Sequence, residues 1–242
     1  MSEETKRDRA EGDAASHDDA NAPATGGPLT ESLLYTVGRT LLRPWTQLWF
    51  DLKVYGVHHV PRRGGVLIVS NHQSYLDPII LGVKVPRAFS FLAKSELFEN
   101  PHFGWLIRSL NAFPVRQGEG DVGAVKETIR RLQEGHALIV YPEGTRSLSG
   151  AIEKIQAGVG LIIRRAGVPV VPAVIDGSYD AWPKERKIFR PHAIRAMYGP
   201  ALAVEGMKAS QIVETIDRTL RSMHAELRAT DPVLSGREAS RV

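Results

Sequence analysis

The chain has 242 residues, 43% of them hydrophobic and 24% charged, which suits one substantial globular domain with a real core. Cysteine is absent, so a disulfide framework, a thiolate zinc site and a thiol nucleophile are excluded, and a reducing compartment is suited. The net charge of +4 is unevenly placed: residues 1–29 sum to −4, leaving +8 on the remainder, a balance that favours phosphorylated ligands, nucleic acid or anionic lipid headgroups as partners.

Residues 1–29, rich in Asp, Glu, Ala and Gly and without apolar periodicity, read as a disordered acidic tail. They hold no apolar stretch of the kind a signal peptide needs. No window of about 18 residues is free of charge, so no transmembrane helix is predicted. The expectation is a cytoplasmic protein, peripheral on the inner face of the cytoplasmic membrane.

In residues 30–53, Leu34, Val37, Leu41, Leu42, Trp45, Leu48, Trp49 and Leu52 recur at three- and four-residue spacings, which predicts an amphipathic helix. Pro44 is expected to kink or divide it. The tryptophans, leucines and interspersed Arg39, Arg43 and Lys53 suit a bilayer interface; packing on the core is the alternative.

From Val54 to residue 230, apolar strands alternate with helical patterns. Val66–Ser70 reads as a strand, and Pro78–Val83 opens a helix with Asp77 near its N-cap and Pro78 at its first position. Ala88–Ala93 is a strand, Leu97–Leu110 a helix and Ala112–Val115 a strand. Asp121 can cap a helix through Val125, Ile129 and Leu132 that Gly135 stops. Ala137–Tyr141 is a strand, Ala157–Arg165 a helix and Val168–Ile175 a strand. Ile212, Ile216, Leu220, Met223 and Leu227 line one face of a last helix. Residues 231–242 read as a flexible tail. The alternation predicts a single α/β domain, layered around a mostly parallel sheet and preceded by the amphipathic segment.

Polar clusters follow three of the strands: Asn71–Asp77, Arg116–Asp121 and Pro142–Ser147. Loops beyond the carboxyl ends of strands form the ligand crevice of an open α/β sheet, so the three are expected to converge. His72 titrates near neutrality and suits a general base, and Asp77 can fix its tautomer. A capping aspartate beside an ordinary histidine explains the same spacing. A metal site lacks a third ligand nearby, and Ser74 lacks the surrounding turn of a hydrolase nucleophile. In Tyr141–Ser147, Gly144 lets backbone N–H groups approach an anion, Arg146 offers a planar fork for phosphate, and Glu143 can accept from substrate hydroxyls.

Together these motifs resemble the 1-acyl-sn-glycerol-3-phosphate acyltransferase (glycerolipid acyltransferase) family over roughly residues 50–205. Asn71, His72 and Asp77 match its N-H-x4-D motif. Tyr141 to Ser147 match F-P-E-G-T-R-S with Tyr for Phe, and Val168, Pro169 and Pro172 match V-P-x-x-P. Lys94 stands where the family often has a basic residue. The resemblance implies the family's layered fold and transfer of an acyl group from a coenzyme A or acyl-carrier-protein thioester to the hydroxyl of a lyso-lipid. It makes His72 the base and Asp77 its orienter, with direct attack and no acyl-enzyme. Glu143, Gly144, Thr145 and Arg146, with Arg116 and Lys94, become the acceptor and phosphate set. No metal or bound cofactor is implied; the thioester is a co-substrate, and nucleic acid is not a partner.

Two positions depart from the pattern. Gln117 stands where the second motif ends in arginine, with Arg116 one residue earlier, and Gln156 stands where relatives have lysine, with Lys154 nearby. A lysophosphodiester or amino-lipid acceptor is therefore an alternative to 1-acylglycerol-3-phosphate. A non-catalytic lipid-binding protein would bind vesicles without consuming thioester, and a thioesterase would release thiol with no lyso-lipid present.

Overall fold

The fold, taken from a computed structural model that describes residues 33–115 and 122–231, follows from two unbroken apolar strands at its centre. β2 (Val66–Ser70) and β6 (Val170–Asp176) are buried at every residue, as strands covered on both faces must be. Around them the sheet has seven strands in the order β1-β7-β6-β2-β5-β3-β4, completed by β1 (Lys53–Tyr55), β3 (Phe89–Lys94), β4 (Ala112–Val115), β5 (Ala137–Val140) and β7 (Arg195–Tyr198). Five run parallel, from β6 through β2, β5 and β3 to β4. β7 is antiparallel to β6 and carries β1 parallel to itself, so the sheet is mixed at one edge only.

Alternate residues of β2 serve opposite layers. Val66 and Ile68 join a core with Phe50, Ile80, Leu81 and Phe89, covered by α1 (Leu33–Phe50) and α2 (Asp77–Val83). Leu67 and Val69 join Leu132, Ile163, Ile212 and Leu220, covered by α4 (Val122–Gln133), α5 (Gly158–Ala166) and α7 (Ala209–Thr230). The five residues expected on the inner face of the last helix are its buried ones. Where α5 meets α7 only glycine fits: a Cβ at Gly160 would lie 2.4 Å from the Ala209 carbonyl oxygen.

Three local expectations change. Pro44 lies inside α1 without dividing it; the carbonyl that loses its donor is that of Thr40, on the exposed side where water can serve it. The helix expected over Leu97–Leu110 is a 3₁₀ turn at Ser95–Phe98 followed by α3 (Pro101–Ser109). The break falls at Asn100, because a residue before proline avoids helical geometry; its side chain instead caps α3 by accepting from Phe103 N–H at 3.0 Å. Asp77 is the first residue of α2 and Pro78 the second, one step from the positions predicted. The acidic stretch 1–29, the capping role of Asp121 and residues 232–242 lie outside the described residues. Asp231 is buried and binds Arg195 Nε at 2.7 Å, while Asp51 binds Nη2 of the same guanidinium at 2.8 Å, which joins the ends of α1 and α7 over β7. Among the described residues, no helix is long and apolar enough to cross a membrane.

Candidate active site

β2 ends at Ser70 at the carboxyl edge of the sheet, and the next residue anchors the loop that follows. Asn71 pairs with the backbone of Ile175 as another strand would, donating to its carbonyl at 2.9 Å and accepting from its N–H at 2.8 Å. The loop then turns back on itself around Asp77, which is completely buried. Asp77 Oδ2 accepts from the Gln73 and Ser74 N–H groups at 2.6 and 2.8 Å and lies 2.8 Å from His72 Nδ1. This carboxylate does not cap α2; it closes the loop before the helix.

A carboxylate already accepting from two amides needs a donor from the imidazole, so Nδ1 carries the proton and Nε2 presents its lone pair. Nε2 has no hydrogen-bond partner among the described residues. The ring is stacked on Tyr141, with centroids 4.0 Å apart and planes 15° from parallel. Aspartate on one edge and tyrosine on one face leave the imidazole a single orientation. Ser74 is buried and its hydroxyl donates to the Trp182 carbonyl at 2.8 Å, so it is no nucleophile.

The Tyr141–Ser147 loop holds this histidine from its backbone side. Glu143 Oε1 accepts from His72 N–H at 2.7 Å, and Ser147 N–H donates to the His72 carbonyl at 2.8 Å. Glu143 Oε2 accepts from Glu153 N–H at 2.8 Å, and the residue is 3% exposed. The expectation that Glu143 receives substrate hydroxyls is therefore corrected: both oxygens are taken by backbone. Burial pushes its carboxyl up to about 7, against the downward pull of the Glu153 and His72 N–H groups. Gly144 makes the turn at φ +73°, a conformation other residues adopt with strain.

Arg146 lies with its guanidinium carbon 3.5 Å from the centroid of the Tyr75 ring, and its buried Nη1 has no hydrogen-bond partner among the described residues. A stacked guanidinium with a spare donor suits a phosphate oxygen. Thr145 is exposed beside it. Lys94 stands exposed at the carboxyl end of β3, on the same edge of the sheet but with β5 between it and β2. Arg116 and Gln117 lie outside the described residues. Gln156 is exposed next to the turn, its Cγ 3.6 Å from where a Gly144 Cβ would be. The structure thus brings His72, Asp77, Glu143 and Arg146 together and leaves Lys94 two strands away.

An apolar pocket opens between α1 and α2, with about 540 Å³ of empty space including its mouth. Pro78 and Ile79, directly after Asp77, line it with Tyr35, Leu42, Phe89 and Phe91. Sequence reading missed Gln73 and Ser178, both buried against Asp77, because no motif and no charge marks them.

Comparison with known proteins bears on what this arrangement belongs to. The chain is 28% identical over 152 residues to a 1-acyl-sn-glycerol-3-phosphate acyltransferase of Bacillus subtilis, covering 62% of this chain and 73% of that one. It is 31% identical over 172 residues to the enzyme of that name from Pseudomonas aeruginosa, covering 69% and 65%. Against a longer chloroplast relative from Brassica napus it spans only 41% of the relative's length. The crystal structure of the 1-acyl-sn-glycerophosphate acyltransferase from Thermotoga maritima superposes with a TM-score of 0.69 at 29% identity, covering 81% of this chain and 80% of that one. The Acyltransferase family model matches residues 51–176, more than half of the sequence, and the chain belongs to that family of enzymes.

Proposed function

We propose that this acyltransferase moves a fatty acyl group from a coenzyme A or acyl-carrier-protein thioester to the free hydroxyl of 1-acylglycerol-3-phosphate, giving phosphatidic acid. The observation that carries the reading is the His72–Asp77 pair, with Nδ1 held at 2.8 Å and Nε2 left open. Nε2 takes the proton of the acceptor hydroxyl as its oxygen attacks the thioester carbonyl. Asp77 stabilises the imidazolium that forms. As the tetrahedral adduct collapses, the C–S bond breaks and the imidazolium returns its proton to the departing thiolate. No residue is acylated, and the balance is ester plus thiol.

Arg146 holds the acceptor phosphate through its unpartnered Nη1, and the apolar pocket beside α2 receives an acyl chain. Delivery of a lipid acceptor is supported by the outer face of α1. There Val37, Leu41, Pro44 and Leu48 form an exposed stripe at helical spacing, with Leu48 85% exposed. Such a face favours burial at a bilayer interface, and it supports our reading of a peripheral protein on the inner face of the cytoplasmic membrane.

Purified protein with acyl thioester and lysophosphatidate tests the reading, products being identified by mass spectrometry. His72→Ala should fold normally and lose transfer by at least about a thousandfold, since a positioned base contributes roughly 10²–10⁴-fold and this one also protonates the leaving group. Near-normal turnover in that variant would remove the assignment. A second reading rests on Gln156, a neutral amide beside the Gly144 turn: a lysophosphodiester or amino-lipid acceptor. A clear preference for lysophosphatidate across a panel of lyso-lipids sinks it.

A further inference from the structure

The geometry points to Ser178 as a positioning residue for acyl transfer, the outer member of a Ser178–Asp77–His72 relay; the inference rests on His72 acting as the base. Ser178 opens the short helix α6 (Ser178–Ala181) after β6 and is completely buried. Its hydroxyl lies 2.6 Å from Asp77 Oδ1 and 3.2 Å from Gln73 Oε1. A hydroxyl has one proton to give, and the nearer, charged acceptor takes it.

Asp77 is then enclosed on both oxygens. Oδ2 serves His72 and two loop amides, while Oδ1 receives only Ser178 among the described residues. The last torsion of an aspartate is broad and two-fold, so the bonds to Oδ2 do not by themselves fix the plane of the carboxylate. A donor on Oδ1 does. Without it, Oδ1 is a buried acceptor with nothing to accept, and the carboxylate can turn to share Oδ1 among the same donors. That movement would tilt the hydrogen bond that orients His72.

The chain is built to deliver this hydroxyl. Asn71 locks onto the backbone of Ile175, three residues before Ser178, so β6 and the histidine loop share one register. Gly177 then turns the chain at φ +90°, where a Cβ would stand 2.3 Å from the Ala193 carbonyl oxygen. Only glycine permits that approach, and it aims the next side chain at Asp77.

The full chain is tested as Ser178→Ala, Ser178→Thr and His72→Ala, with palmitoyl-coenzyme A and 1-acylglycerol-3-phosphate. Proton NMR of the low-field Nδ1–H of His72 accompanies the kinetics. Ser178→Ala should lower kcat about 10- to 100-fold, the range for losing one bond to a charged group. KM for both substrates should hold, and the Nδ1–H resonance should move or broaden. Ser178→Thr, which keeps the hydroxyl, should recover most of kcat and the resonance.

A Ser178→Ala variant within twofold of wild type, with the resonance unmoved, overturns the relay while inactive His72→Ala leaves the base assignment standing. Activity retained by His72→Ala overturns the base assignment itself. Loss of activity in Ser178→Ala that only follows a lowered melting temperature, with the resonance unmoved, shows a structural role and also overturns the relay. The resonance reads the relay whichever acceptor the enzyme prefers.

Discussion

Tyr141→Phe should make this protein more stable and leave it active. The aromatic ring of Tyr141 stacks on His72 at 4.0 Å, but its hydroxyl is buried and has no hydrogen-bond partner among the described residues. Burial raises the phenol well above its usual pKa, so it remains a neutral donor with nothing to donate to. Leaving such a group unsatisfied costs roughly 1–3 kcal/mol. Removing one oxygen opens a void of about methyl size, which returns about 1 kcal/mol of that. The net expectation is a gain of roughly 0–2 kcal/mol, centred near 1 kcal/mol, or about 2–4 °C in melting temperature at that centre for a chain of this size. Calorimetry and urea titration of both proteins measure it, with turnover assayed in parallel. The ring, the stack and the orientation of His72 are unchanged, so kcat should stay within about twofold, because a surviving stack preserves the packing that orients the base. A variant that is less stable than wild type refutes the accounting. A tenfold loss of kcat at equal stability would mean that the hydroxyl contacts substrate.

Glu143→Gln keeps one carbonyl acceptor but turns an NH₂ toward the other backbone N–H, so kcat should fall about tenfold with little change in KM. Its pH signature is specific. The native carboxyl, near 7 against an ordinary 4.5, binds its proton more tightly than the unfolded chain does, so stability is present below about 4.5 and lost as pH rises through about 7. Urea midpoints of wild type should drop across that window relative to Glu143→Gln; parallel curves would contradict the assignment. Arg146→Lys retains the charge but loses the planar stack on Tyr75 and the fork, so KM for a phosphate-bearing acceptor should rise about tenfold while KM for the thioester holds. Saturation curves for each substrate check this, and equal acceptor KM values remove Arg146 from the phosphate site.

The layers of this fold were legible because apolar period and burial are the same fact seen twice. Val66–Ser70 and the spacing of Ile212 through Leu227 could hardly be anything else. The edge was not legible. β1 and β7 are three and four residues long and carry polar residues such as Lys53 and Arg195, so no apolar run marks them; β7 pairs with the edge of β6, and β1 with β7. Motif spacing identified His72 and Asp77, and the geometry agrees to hydrogen-bond distance. It could not say which atoms Glu143 would meet, because a carboxylate three residues past a strand can face solvent, substrate or backbone with the same sequence around it. Ser178 was invisible for a related reason: it lies 101 residues from Asp77, and only the pairing of β2 with β6 brings them together.

The corrected place of Glu143 shifts weight onto the remaining polar groups of the pocket. With its oxygens committed to His72 and Glu153, the loop offers substrate one guanidinium and no carboxylate. Among the described residues, that loop favours an anion over a cation, which argues for a phosphate-bearing acceptor over an amino-lipid. Lys94, on the same sheet edge, adds charge of the same sign, and Gln156 adds none. Selection between a monoester and a diester then depends on how many charge-assisted bonds the phosphate can collect, since a monoester near −2 benefits from each additional cation. Arg146 would supply the first of these, stacked on Tyr75, which lies within the His72–Asp77 segment. On the proposed roles, a change in the packing of Tyr75 would be felt both at the base and at the phosphate contact.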